Sequence, residues 1–373
     1  MNAENYHSFR PGEIWKDDNG IAINAHGGGI LYYDGIYYWF GEHKIAGEKG
    51  NKAYVGVHCY SSKDLYNWED RGISLSVVKN DPNHPMTEGC IIERPKVIYN
   101  EKTKKFVMWF HHELKNKGYS SAQSGIAISD NPTGPYQYIH SVRPNKGVWP
   151  INVQDCHKQP VRSDVMEAYY GGGPGGLPQH PDVLNTLGKG FITGQMARDM
   201  TLFVDDNKKA YHIYASEYNS TLHIAKLSDD YTAHSGKFVR IFVARWMEAP
   251  SIFKHDGKYY LIASGCTGWK PNTARYAVAN SIWGPWMELD NPCAGENSDL
   301  TFNSQSTYVL PVHGKKDAFI FMADRWNPKN AIDSRYVCLP IQFDKKDKYR
   351  NKIIIQWQDE WDLICFEKLI FYR

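Results

Sequence analysis

Five times along this chain a polar residue stands four positions ahead of an apolar, aromatic-rich strand. The residues are His26 before Ile30, Glu93 before Val97, Asp199 before Phe203, Glu248 before Ile252 and Gln305 before Val309. Three of the units match further, because Tyr38, Tyr211 and Tyr260 share a later position, after turns carrying Asp34-Gly35, Asp206-Asn207 and Asp256-Gly257. A repeat of short strands with roughly 50 residues or more between units is the mark of a β-propeller. Five units predict an all-β, five-bladed β-propeller. In such a ring the five marked residues become equivalent by pseudo-symmetry and gather at one end of the central channel.

Each unit opens as strand, polar turn, strand, as in GGILYYDGIYYWFGEH from 28 to 43 and SIFKHDGKYYLIASG from 251 to 265, which reads as a hairpin. A further pair of strands follows each hairpin, and SKDLYNWE, NPTGPYQY and SIWGPWME are turns leading into an aromatic-bearing strand. Four strands make one blade. The length of 373 residues would permit several domains, but the repeat predicts one, a single five-bladed propeller over 1–373. The second interval is about 105 residues where the others are about 50 to 66. The excess, about 143–195, contains GGGPGGLPQHPD and lacks periodicity; it reads as a loop insertion that rises over the channel mouth and shapes the pocket.

A formal net charge of +2, with Lys and Arg dispersed, gives no support to a nucleic-acid or membrane partner. The 25 Tyr and 12 Trp serve mainly strand packing, though aromatic rings also match the apolar faces of sugars. Seven cysteines, Cys59, Cys90, Cys156, Cys266, Cys293, Cys338 and Cys365, form no C-x-x-C pair and point to neither a disulfide framework nor a zinc site. His111-His112-Glu113 ends a strand, where neighbours face opposite ways, so a metal site there is not expected. Asp205-Asp206-Asn207 occupies a hairpin turn that calls for such residues in any case. Met1 to Arg10 has no apolar signal core, which fits a cytoplasmic protein or one whose signal peptide has been removed.

Glycoside hydrolysis asks for two carboxyl groups flanking the scissile bond, one protonated. Glu93, Asp199 and Glu248 are candidates, and crowding them raises their pKa unless Arg94, Lys96, Arg198 or Arg245 intervenes. The plainer reading is that these acids bind backbone amides at the blade starts. A structural role would favour one residue type in every blade, and this ring is mixed.

At these residues the chain resembles glycoside hydrolase family 43, in its subfamily of exo-acting galactan β-1,3-galactosidases. The resemblance rests on INAHGGGILYYDGIYYWFGEH, CIIERPKVIYNEKTKKFVMWFH, ARDMTLFVDDNKKAYHIYASE, MEAPSIFKHDGKYYLIASGCTGWKPN and NSQSTYVL, and so covers all five units. It implies a five-bladed propeller that removes terminal galactose from β-1,3-galactan or galacto-oligosaccharides, including the arabinogalactan backbone, with inversion. By the same resemblance Glu248 is the general acid and Asp199 the residue that tunes it. Most of family 43 carries an Asp base in the first blade, whereas Asn24-Ala25-His26-Gly27-Gly28 has no carboxylate. Gln305, as an imidic tautomer or as a water-positioning amide, and Glu93, the easier base chemically, both stand for that role. Glu42 is implied to bind the galactose hydroxyls; Tyr119, Asn219, Thr267 and Trp269 are implied for the terminal sugar, and Arg325 is placed there by position alone. The alternatives are an α-L-arabinofuranosidase or β-xylosidase on the same fold, or a non-catalytic propeller that only binds sugar. No cofactor is expected, with calcium in the channel left open. The substrate implies a periplasmic or secreted protein, and a monomer is the expectation.

Overall fold

The computed structural model describes residues 5–158, 187–344, 346–347 and 352–368. Five sheets account for almost all of the strands. The first holds β1 (His26–Tyr33), β2 (Ile36–His43), β3 (Gly56–Ser62) and β4 (Glu69–Ser76) in that order, and the second β5 (Ile91–Asn100), β6 (Lys105–Glu113), β7 (Gln123–Ser129) and β8 (Gln137–Val142). The third is β9 (Met200–Val204), β10 (Ala210–Ser216), β11 (Thr221–Leu227) and β12 (His234–Ile241). The fourth is β13 (Met247–His255), β14 (Lys258–Gly265), β15 (Arg275–Ala279) and β16 (Met287–Leu289). The fifth gains a strand: β17 (Cys293–Ala294) pairs in parallel with β21 (Ile353–Gln356), outside β20 (Arg335–Phe343), β19 (Phe319–Arg325) and the inner β18 (Gln305–Pro311).

The inner strands close a ring, since β1 touches β5, β5 touches β9, β9 touches β13, β13 touches β18, and β18 returns to β1. This is the five-bladed propeller the repeat predicts. Apolar side chains project from both faces of each blade, so the core is divided into clusters between neighbouring blades. Between the first and last blades the cluster also takes in both ends of the described chain, where Phe9 stacks on Trp361 with ring centroids 4.4 Å apart. The Tyr336 hydroxyl ties the same seam, accepting from Ala25 N at 2.9 Å and donating to Ile23 O at 2.9 Å.

The marked residues stand inside or beside the first pairs of the inner strands rather than ahead of them. The reason is a β-bulge that repeats with the units, placed between His26 and Gly29, Glu93 and Lys96, Glu248 and Ser251, and Ser306 and Tyr308. A bulge bends its strand and re-aims the side chain beside it. In three blades the residue after the marked one is left-handed, with φ of 59° at Gly27, 55° at Arg94 and 52° at Ala249. The hairpin turns behave as read: Asp34-Gly35 and Asp256-Gly257 have positive φ at both positions, the type I′ geometry that suits strand twist.

Residues 159–186 of the insertion, GGGPGG among them, lie outside the described residues. The described flanks pack against the seam of the second and third blades. Trp149 stacks on Phe191 at 4.4 Å, and Asn145 donates to the Tyr214 hydroxyl at 3.1 Å. None of these flanking residues lines the channel mouth.

Candidate active site

One end of the channel opens into a pocket of about 260 Å³ lined by Glu93, Asp199, Glu248 and Gln305, one from each of four blades. The fifth member of the expected ring is displaced. His26 is fully buried behind the pocket, stacked on Tyr336, with Nδ1 3.5 Å from Asp324 Oδ1. Glu42, Tyr119, Asn219 and Trp269 join the lining. Thr267 and Arg325 do not. Thr267 folds its own loop, bonding Lys270 O and Asn272, and Arg325 turns away to donate to Phe302 O at 2.8 Å beside the Trp357 ring. The positional argument for Arg325 fails because β19 runs past the pocket, so that Asp324 faces the channel seam while its neighbour points to the opposite side.

Arg94 is the residue that organises this pocket, and its role in this chain was missed by the sequence reading. Its left-handed backbone sends the guanidinium across the channel, where it bonds Asp199 Oδ2 at 3.0 Å, Gln305 Oε1 at 2.6 Å and Ser306 O at 3.3 Å. Its backbone N–H donates to Glu42 Oε1 at 3.0 Å. Arg94 thereby closes the floor. The only signal in sequence is a charged residue directly after a marked one. His111, Asn51, Arg198 and Trp326 also line the pocket without having been assigned there.

The carboxyl groups are driven apart in acidity. Burial, then the neighbouring Asp199 charge, push the Glu248 carboxyl up to about 8, against the opposing charges of Arg94 and Arg198. Its carboxyl accepts from Asn219 Nδ2 at 3.2 Å, offered from a turn whose residues Glu217, Tyr218 and Asn219 are all left-handed. Asp199 is held by Arg94 and by the Ala249 N–H at 3.0 Å. Burial raises Glu93 too, but the His111 hydrogen bond and charge, the Lys44 charge and the Tyr119 hydrogen bond outweigh it and bring the carboxyl down to about 2. His111 Nδ1 lies 2.9 Å from Glu93 Oε2 and its Nε2 2.9 Å from Glu113 Oε1, so burial's downward pull is overcome and the imidazole rises to about 9. His112 points the other way, to Ser141 and Pro85 O, as strand alternation requires.

Gln305 accepts at Oε1 from Arg94 and from Trp326 Nε1 at 3.0 Å, and donates from Nε2 to Ser264 Oγ at 2.9 Å. An imidic tautomer would turn that oxygen into a donor facing two groups that only donate. The geometry fits an ordinary amide with one N–H to spare. Glu93, His111 and Asp199 bring ligand atoms within 4.8 Å of one another, yet each already has internal partners in His111 and Tyr119, Glu93 and Glu113, or Arg94 and Ala249.

A protonated carboxylic acid and an ionised carboxylate in one polar pocket at a propeller mouth are the arrangement of a glycoside hydrolase. The family model for glycosyl hydrolases family 43 matches residues 185–339. Among solved structures, a family 43 β-1,3-galactosidase with galactodeoxynojirimycin is 49% identical, covering 95% of this chain and 100% of that one, with a TM-score of 0.88. An exo-β-1,3-galactanase from Phanerochaete chrysosporium with β-1,3-galactotriose is 30% identical over 96% of this chain and 68% of that one, TM-score 0.74. Another from Clostridium thermocellum is 34% identical over 95% and 66%, TM-score 0.74. A β-D-galactofuranosidase of Aspergillus niger is 26% identical over 169 residues, and the chain spans about half the length of that relative, 48%. The chain belongs to glycoside hydrolase family 43.

Proposed function

We propose that the chain is an inverting exo-β-1,3-galactosidase that removes terminal galactose from β-1,3-galactan or its oligosaccharides, as in the arabinogalactan backbone. The activities of its relatives support this substrate, and one observation carries the chemistry: Glu248 holds its proton to about 8 while Glu93, in the same pocket, is ionised down to about 2. Arg94 spans the channel beneath the pocket, bonding Asp199, Gln305 and Ser306 O, and a pocket floored in this way suits a chain end and with it exo action.

Glu248 gives its proton to the glycosidic oxygen as the bond to C1 breaks. Gln305 orients the attacking water with its remaining N–H, and Glu93 takes the proton that water loses. Glu93 and Glu248 sit on the second and fourth blades, as far apart as a five-membered ring allows, which suits attack from the face opposite the leaving group. A carboxylate as acidic as Glu93 is a weak base, but water adding to an oxocarbenium-like carbon becomes acidic enough to yield its proton. Glu42, with Lys44 Nζ 2.5 Å from its Oε2 and the Arg94 N–H on its Oε1, accepts from the sugar hydroxyls at its remaining lone pairs and disfavours the C4 epimer, which would withdraw one of those donors. Tyr119, Asn219 and Trp269 complete the terminal subsite. The reading includes no metal cofactor, because Arg94 and His111 already supply the positive charge beside Glu93 and Asp199. It includes a monomer acting outside the cytoplasm, where polysaccharide is met.

The test is a substrate panel. Wild type hydrolyses β-1,3-galactobiose and leaves β-1,4-galactobiose and aryl arabinofuranosides and xylosides largely intact. Glu248→Gln loses about 10² to 10⁴ in kcat and still binds galactose. Hydrolysis of the arabinoside or xyloside in preference overturns the specificity, and binding without hydrolysis by wild type makes the chain a sugar-binding propeller.

A further inference from the structure

Lys96 is buried in the channel at 2% exposure, three residues after Glu93, and no step above uses it. Its ammonium donates to Gly27 O at 3.0 Å and to Arg94 O at 3.4 Å. Both carbonyls belong to the left-handed bulge residues of the first two blades. The first blade makes room for the lysine stem: a Cβ on Gly29 would stand 2.5 Å from Lys96 Cδ. A compact ammonium with three donors can tie together carbonyls from two strands, and here it ties the two bulges that aim the active-site side chains.

The consequence falls on Arg94. A non-glycine residue at φ 55° is held in a sparsely populated conformation that persists only when its surroundings over-determine it. Glu42 fixes the N–H of Arg94 and Lys96 fixes its carbonyl, so the peptide is gripped at both ends. The guanidinium then reaches Asp199 on the acid side and Gln305 on the water side at once.

We propose that Lys96 is a positioning residue of the hydrolytic reaction, an internal cation that holds Arg94 in its left-handed conformation and thereby couples the setting of the general acid to that of the attacking water. The proposal rests on the roles given to Asp199 and Gln305 above. Burial and the Arg94 charge press the ammonium down to about 7, against Glu42, Asp324 and Asp199. Its hold as a cation is therefore strongest below neutral pH and is lost as pH rises through about 7.

The experiment compares wild type with Lys96→Met on β-1,3-galactobiose, reading kcat, KM and the pH profile, with thermal unfolding alongside. Misplacing Arg94 lowers kcat by about 100-fold while KM changes by less than about threefold. The alkaline limb set by Glu248 also moves. Glu248 is faced by Asp199, Glu93, Arg94, Arg198 and Asn219, and Arg94 is the member whose downward pull is weakened, so the limb shifts to higher pH. Where Lys96→Met fails to fold, Lys96→Gln, which keeps N–H donors without the charge, carries the same readings. A kcat within about threefold of wild type, or a lower kcat with the alkaline limb unmoved, overturns the proposal. Failure of wild type to cleave the disaccharide in the same assay overturns the galactosidase reading instead.

Discussion

At the scale of single residues, the site works by separating the acidities of Glu248 and Glu93, and Asp199 is the lever on the first of them. Asp199 raises the Glu248 pKa by its charge, second only to burial. Asp199→Asn therefore lowers that pKa, so the alkaline limb of kcat/KM moves to lower pH and activity at pH 8 falls further than at pH 6; a limb that stays or rises contradicts the assignment. The acids and Gln305 were legible because the repeat gave them a common phase. Arg94 was not, since its reach depends on a left-handed backbone that nothing local in ERPK specifies. Arg325 was misplaced because position along a hairpin does not say which face of a strand a residue takes, and Thr267 because its hydroxyl is spent within its own loop.

At the scale of elements, the device that makes a structural strand into a catalytic one is the bulge. In four of the five blades the inner strand begins with one to three regular pairs, breaks register, and then runs on as apolar core, while β9 of the third blade pairs without a break. The apolar run and hairpin turns were visible in sequence as period and turn chemistry. The bulges were not, because an extra residue looks like any other until its partner strand is known. Gly27 shows how tight the fit is, for it has φ 59° and a Cβ there would lie 2.2 Å from Glu42 Oε1. Gly27→Ala is expected to cost about 1 to 3 kcal/mol in chemical denaturation and to raise KM by displacing Glu42. Wild-type stability with unchanged KM would show that the first-blade bulge does not position the sugar.

At the scale of the whole molecule, the propeller buries histidines between its blades in neutral form. Burial holds His43 and His112 down to about 4 and His234 to about 3, and also lowers His212 and His223. The unfolded chain therefore binds more protons than the folded one below about pH 6.5, and stability is lost as pH falls from there toward 4. Glu217 and Glu93, lowered to about 2, add a further loss below their unfolded pKa. Glu248, raised to about 8, and Glu42, also raised by burial, act in the opposite sense, and His111, held up to about 9 against burial by Glu113 and Glu93, stays protonated over this range, but these are outnumbered by the five lowered rings. Tm should fall steadily between pH 7 and pH 4; a Tm that holds or rises over that range contradicts the neutral burial of these rings. Five blades and their order were readable because the repeat is carried by strand phase and turn type.

The central claim is that Glu248 and Glu93 act from opposite sides of a terminal β-1,3-linked galactose. The most direct test follows the anomeric proton signals of galactose released from β-1,3-galactobiose by NMR in the first moments of hydrolysis. The account predicts that α-galactose forms first and equilibrates to the β anomer. Initial release of β-galactose would mean retention, and the roles of Glu93 and Gln305 in activating water would be wrong.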